Sequence, residues 1–315
     1  MKTRIALLIS VFIAGTLTAQ KDWSKVNFEK EYKRKVKIGG GAAKSLKKNK
    51  TFITDYSISQ ATTMTGSNTS STKAVYSEVS LGGLSNEVYL ELTNELYHEF
   101  INELQSAGLQ ITEGEDVLAT SFVQKKLKKD KNNEVIGSTG EQPYYEGKKK
   151  ITDGSIPGYA AWAITRDVTF RPVNKIIYYT PNIVKAGNFY QRLSTKEEYN
   201  LISVNYFVAF ASFEGSRGYK DIKLATEPAM SVGVQIRLVT PNGSGNWITY
   251  KKGIWGGSEW SEGINKGKDN KHTAEVLGLA RSAEYDITAN PEKYLSEVKA
   301  IILNLQKDIV KGMKE

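Results

Sequence analysis

The sequence predicts an α/β fold, one mixed β-sheet with helices on its flanks, from three observations. A helix-period segment near 85–107 lies between two runs of β character. "YNLISVNYFVAFASFEG" (199–215) is apolar on both of its alternating faces, the pattern of a central strand covered on both sides. The chain closes on a second amphipathic helix near 291–311, opened by Asn290 and Pro291.

The order of elements begins with a leader. Lys2 and Arg4 precede an uncharged apolar run from Ile5 to Leu17, followed by the small residues Thr18 and Ala19. This is the layout of a secretory signal peptide over 1–19, with processing expected before Gln20. The run is shorter than the roughly 18 residues that a membrane-spanning helix requires. With Cys 0, an exported chain is not a disulfide scaffold and has no thiolate for catalysis, zinc or a lipid anchor. The expected destination is the periplasm or the outer membrane, with release from the cell as the other outcome.

Residues 20–50 read as a basic amino-terminal arm. Residues 21–50 hold eleven Lys or Arg against Asp22, Glu29 and Glu31, so the stated net charge of +9 resides mainly in this segment. A solvated, mobile terminus is the plain expectation; peripheral contact with anionic lipid or acidic polysaccharide is the functional one. "KIGGGAAKS" (37–45) lacks the glycine spacing of a phosphate-binding loop and reads as linker.

The rest, 51–315, reads as one α/β domain. "TFITDYSI" (51–58) is a buried strand, and the Ser/Thr-rich 59–80 stretch a long loop or loosely formed hairpin. From Ser85 a helix runs with Tyr89, Leu92, Leu96, Phe100 and Leu104 on its apolar stripe, and Gly108 ends it before "LQITE" returns as a strand. His98 falls on the wet face of that helix, and His272 stands in a polar stretch. Two isolated histidines point to no metal and no cofactor.

A polar insertion is expected near 124–155, where "DKNNEVIGSTGE" (130–141) lacks the glycine of a calcium loop. A short apolar element at Tyr159–Ile164 and a strand at Lys175–Thr180 follow. "AMSVGVQIRLVTPNGSGNWITYKKGIW" (229–255) reads as a hairpin turning at Pro241-Asn242-Gly243. Tyr294, Val298, Ile301, Leu305 and Ile309 form the stripe of the last helix.

This order of elements, "TFITDYSI" into a long helix, "SAGLQITE", the central strand "ISVNYFVAFASF", the pair "VGVQIRLVTPNGSGNWITYKKGI" and a closing helix, resembles the α/β domain of the curli secretion channel family (CsgG) and the related TolB amino-terminal domain. The resemblance covers about 51–120 and 200–310 and is one of topology. It implies an exported, non-catalytic module that assembles in the envelope. This chain departs from the channels in having no lipidated cysteine and no identifiable pore hairpin.

No G-x-S-x-G occurs, and no catalytic constellation is expected. The densest aromatic cluster is Trp247, Tyr250, Trp255 and Trp260, with Glu259 and Glu262 beside it. Aromatic faces stack on sugar rings and carboxylates accept hydroxyl hydrogens, so this cluster is the candidate polysaccharide site, with Tyr144 and Tyr145 as a second aromatic edge. Core packing is the favoured account, since Trp247 and Trp255 fall at even spacing in the expected hairpin. A glycosidase using Glu259 or Glu262 is a third reading. The leading expectation is a non-enzymatic envelope protein that assembles with itself or with envelope partners, without specific nucleic-acid binding.

Overall fold

The structure, a computed structural model, describes residues 21–70, 73–112, 114–124, 145–146, 149–150, 169–173, 183–217, 222–274 and 278–315. The leader at 1–19, most of the 124–155 insertion including Tyr144, the Tyr159–Ile164 element and the Lys175–Thr180 strand lie outside them. The side chains of Tyr145 and His272 do as well.

Alternating apolar and polar residues build a mixed sheet in the order β1 (Arg34–Lys37), β10 (Gly243–Tyr250), β9 (Ile222–Thr240), β8 (Asn200–Arg217), β2 (Thr51–Ala61), β7 (Thr169–Val173). The short β11 (Ile254–Trp255) also pairs with β9. β2 runs parallel to both β8 and β7, and the β8–β9–β10–β1 side is antiparallel. β8 is central and covered on both faces, as its composition predicts. Ile202, Val204, Tyr206 and Val208 belong to the main core, and Leu201 joins Phe52 and Val239 in a second cluster.

The main core is closed by α3 (Asn86–Ser106) and α7 (Pro291–Lys314). Their stripes, Leu96, Phe100 and Leu104 with Ile301, Leu305 and Ile309, are fully buried, each worth about 1.5–3 kcal/mol over exposure. Asn290 caps α7 by accepting from Lys293 N at 3.1 Å. Gly108, at φ +88, ends α3 while Leu109 N donates to Leu104 O at 3.1 Å. On the opposite face α6 (Ile183–Glu197) brings Tyr190 and Leu193 onto the second cluster, with Val117 of α4 (Gly114–Leu118) and Val123 of α5 (Ser121–Gln124).

Three expectations are revised. The returning strand "LQITE" is reduced to a single bridge, Thr51 to Ile111, because α4 begins at Gly114 and carries the chain onto the face of the sheet that holds the second cluster. The Ser/Thr-rich stretch is an ordered hairpin, β3 (Thr63–Thr69) and β4 (Lys73–Gly82). It joins β12 (Ser261–Ala274) and β13 (Gly278–Ala289) in a second mixed sheet, ordered β12-β13-β4-β3. That sheet packs on the far ends of β8 and β9. Asn68 Nδ2 donates to the carbonyls of Ser216 (3.1 Å) and Lys223 (3.0 Å), and a Cβ at Gly66 would overlap the Phe213 ring. The α/β class stands, with two larger sheets in place of one; β5 (Tyr145–Glu146) and β6 (Lys149–Lys150) form a separate two-stranded pair.

The third revision concerns the basic arm, which is part of the fold. A 3-10 turn at Trp23–Lys25, α1 (Phe28–Glu31), β1 and α2 (Gly40–Lys48) carry Trp23, Phe28, Tyr32 and Leu46 into the main core. The aromatic spacing was lost to view under the lysines that surround it.

Candidate functional site

The fold divides the aromatic cluster between core and surface. Trp260 is 2% exposed; its Nε1 donates to Gly257 O at 2.9 Å and its ring stands edge-on to Tyr294, centroids 4.9 Å apart. Buried on all sides, it has no face to offer a ligand. Tyr250 is half-buried, packs edge-on to Phe28, and donates its hydroxyl to Asp308 Oδ2 at 2.8 Å. Burial, then the neighbouring Asp308 carboxylate, pushes the Tyr250 hydroxyl pKa upward, so it stays protonated as donor. Trp247, half-buried on β10, is flanked in register by Lys37 and Arg237. Only Trp255, 51% exposed on β11, keeps a free ring face among the four.

Glu259 and Glu262 are exposed and occupied with local structure. Glu259 accepts from Ser258 N at 3.1 Å, and Glu262 accepts from Asn290 Nδ2 at 3.4 Å. Both carboxylates stand on the surface.

Two constellations escaped the sequence reading because their members are far apart in the chain. At Arg34, whose side chain is fully buried, Nη1 donates to Asp308 O at 2.9 Å and Nη2 to the Glu315 carboxylate at 3.0 and 2.9 Å. Nε lies 3.3 Å from Asp308 Oδ2 and Nη2 3.2 Å from Glu29. A Cβ at Gly312 would overlap this guanidinium, so glycine is what lets Arg34 reach the last turn of α7, where its charge also meets the negative end of the helix. The second is Glu297, buried on α7, which accepts from Trp23 Nε1 at 2.8 Å and from Gly257 N at 3.3 Å. Both constellations fasten the amino-terminal segment to the carboxy-terminal helix.

The surfaces are more distinctive than the interior. On the outer face of the second sheet a groove of about 480 Å³ is lined by Thr65, Ser67, Tyr76, Glu78, Ser282 and Glu284, among others. That sheet ends in β3, "TMTGSNT", which pairs with β4 on one side and with no described strand on the other. Among the described residues there is no metal-binding group of His, Cys, Asp or Glu, and no helix long and apolar enough to cross a membrane. The chain matches no protein-family model, no curated protein and no solved structure.

Proposed function

We propose that this is an exported, non-enzymatic envelope protein that works by assembling with copies of itself or with envelope partners. One observation carries the reading. Edge strands invite pairing with other chains, and proteins blunt them with lysine, proline or bulges. Of the four edges of the two larger sheets, β1 carries Lys35 and Lys37, β7 carries Pro172, and β12 carries Lys266 and two register shifts. β3 has none of these: seven uncharged residues, three of them threonine, with Thr65, Ser67 and Thr69 exposed. Among the described residues β3 is the sheet end that carries no such device, and an edge of that kind is a surface for strand addition. The resemblance to the curli secretion channel family, which rests on element order alone, agrees with this reading, as does the expected leader.

The test is light scattering after size exclusion on the chain beginning at Gln20, with and without detergent. A discrete oligomer that dissociates in the double variant Thr65→Lys, Ser67→Lys is the expected result. A monomer in every condition would sink the proposal.

A second reading, polysaccharide binding, retains Trp255 as an exposed platform beside Glu259, without Trp260. Glycan-array binding that survives Trp255→Ala removes it.

A further inference from the structure

Charge is concentrated on elements of the main sheet and its flanks, lysines on β1 and α2 and glutamates on α3. From Tyr32 to Thr54 the sequence has no acidic residue, and the fold leaves Lys33, Lys35, Lys37, Lys44, Lys47, Lys48 and Lys50 exposed on β1, α2 and their flanks. Lys251 and Lys252 join them, because both backbone N–H groups donate to Tyr32 O, at 3.1 and 3.2 Å. None of these lysines pairs with a carboxylate among the described residues.

At the other end lies α3, packed against α7, β2 and β7. It carries Glu87, Glu91, Glu95, Glu99 and Glu103, each four residues from the next, and no lysine or arginine. Like charges at that spacing repel across a helix surface. Glu99 and Glu103 also lie toward the negative end of the helix dipole. Glu95 pairs with Lys299 of α7; Glu87, Glu91 and Glu99 are exposed with no such partner among the described residues. Lys299 relieves the ridge at Glu95 and bonding to Ser85 does so at Glu87, while Glu91 and Glu99 stand exposed with no lysine or arginine paired to them among the described residues.

β1 and β7 are the opposite edges of the sheet, five strand-to-strand steps or roughly 24 Å apart. We infer that the glutamate ridge of α3 in one copy docks on the lysine surface of β1 and α2 in the next, a head-to-tail contact that closes into a ring or continues as a filament. The inference rests on the assembly reading above and names a contact separate from the β3 edge. Charge complementarity selects a second copy as the occupant. Each patch is the counterpart of the other in charge, and β1 and α3 lie toward opposite edges of the sheet.

Two variants test it on the chain beginning at Gln20: Lys35→Glu, Lys37→Glu, Lys47→Glu, and Glu87→Lys, Glu91→Lys, Glu99→Lys. The wild type is expected to form an oligomer in low salt and to lose it as added salt shortens the screening length from about 10 Å at 0.1 M toward about 3 Å at 1 M. Each variant alone is expected to be monomeric, and an equimolar mixture to regain the oligomer, because each reversed patch then meets its new opposite. A wild-type salt series gives an answer even if a variant fails to fold. An oligomer whose mass ignores salt and both reversals overturns the ionic docking while leaving assembly through β3 in place. A monomer in all conditions overturns both. Loss of binding to phosphatidylglycerol vesicles by the lysine variant, with its oligomer intact, assigns the lysine surface to anionic lipid and overturns the inference.

Discussion

Trp255 and Trp260 stand five positions apart and have opposite fates, decided by what lies above each ring. Trp260 is closed over by Tyr294 and bonded to Gly257 O; Trp255 stands half in solvent on a two-residue strand. Guanidinium unfolding should therefore show a loss of about 3–5 kcal/mol for Trp260→Ala and a change within about 0.5 kcal/mol for Trp255→Ala. The amino-terminal segment adds a pH dependence. Bonding to Lys25 and Ser24 holds the Asp22 carboxyl down at about 2, and Lys311 with Arg34 holds Glu29 below its usual 4.5. A carboxyl lowered by folding stabilises the fold above its unfolded pKa and loses that contribution as the pH falls through the folded value. Asp308 acts in the other direction, since burial raises its pKa and resists its ionisation. Acidification from about pH 4.5 toward 2 should loosen residues 21–37, followed by Trp23 fluorescence. Glu29→Gln should flatten the upper part of that transition; an unchanged profile would refute the assignment.

At the scale of elements, the two long helices α3 and α7 were readable because their periodicity and caps are local, whereas α2 and α6 were passed over as linker and polar break. Asn290 and Pro291 start α7, and Gly108 stops α3, within one or two residues of where the sequence places them. The β3–β4 hairpin was only half legible, since Ser and Thr alternate without a hydrophobic signal. Its order comes from Asn68 and Ser77 bonding to the distant β8–β9 pair, Ser77 Oγ lying 2.7 Å from Thr226 Oγ1. The amino-terminal elements were misread for a related reason: three aromatic anchors were diluted by lysines that occupy the solvent side. Deleting residues 21–37 would expose the β10 edge and strip Trp23, Phe28 and Tyr32 from the core. At about 1.5–3 kcal/mol per buried side chain, the loss should be on the order of 5 kcal/mol. A thermal midpoint unchanged by the deletion would mean that the segment is, after all, a loose arm.

For the whole molecule, the pattern that matters is the separation of charge across one sheet. Composition gives a net charge of +9 and says nothing of where it lies. The strand order places the lysine-bearing β1 at one edge and the glutamate-bearing α3 toward the other, and among the described residues β3 ends the second sheet. Assembly through these surfaces predicts a mass that responds to salt at the sheet ends and to β3 lysines at the second sheet, two separable effects in one scattering experiment.

By itself, the sequence determined the α/β class, the two long helices, the central strand and the β9–β10 hairpin, because hydrophobic periodicity and turn chemistry act over a few residues. Only the tertiary structure decided which tryptophans are buried, that the basic segment is a strand of the main sheet, that a second sheet exists, and that β1 and α3 lie toward opposite edges of the main sheet. Most of these depend on partners about 150 to 280 residues away, such as Asn68 with Ser216, Trp23 with Glu297 or Arg34 with Glu315. Such pairings leave no local trace in composition or spacing.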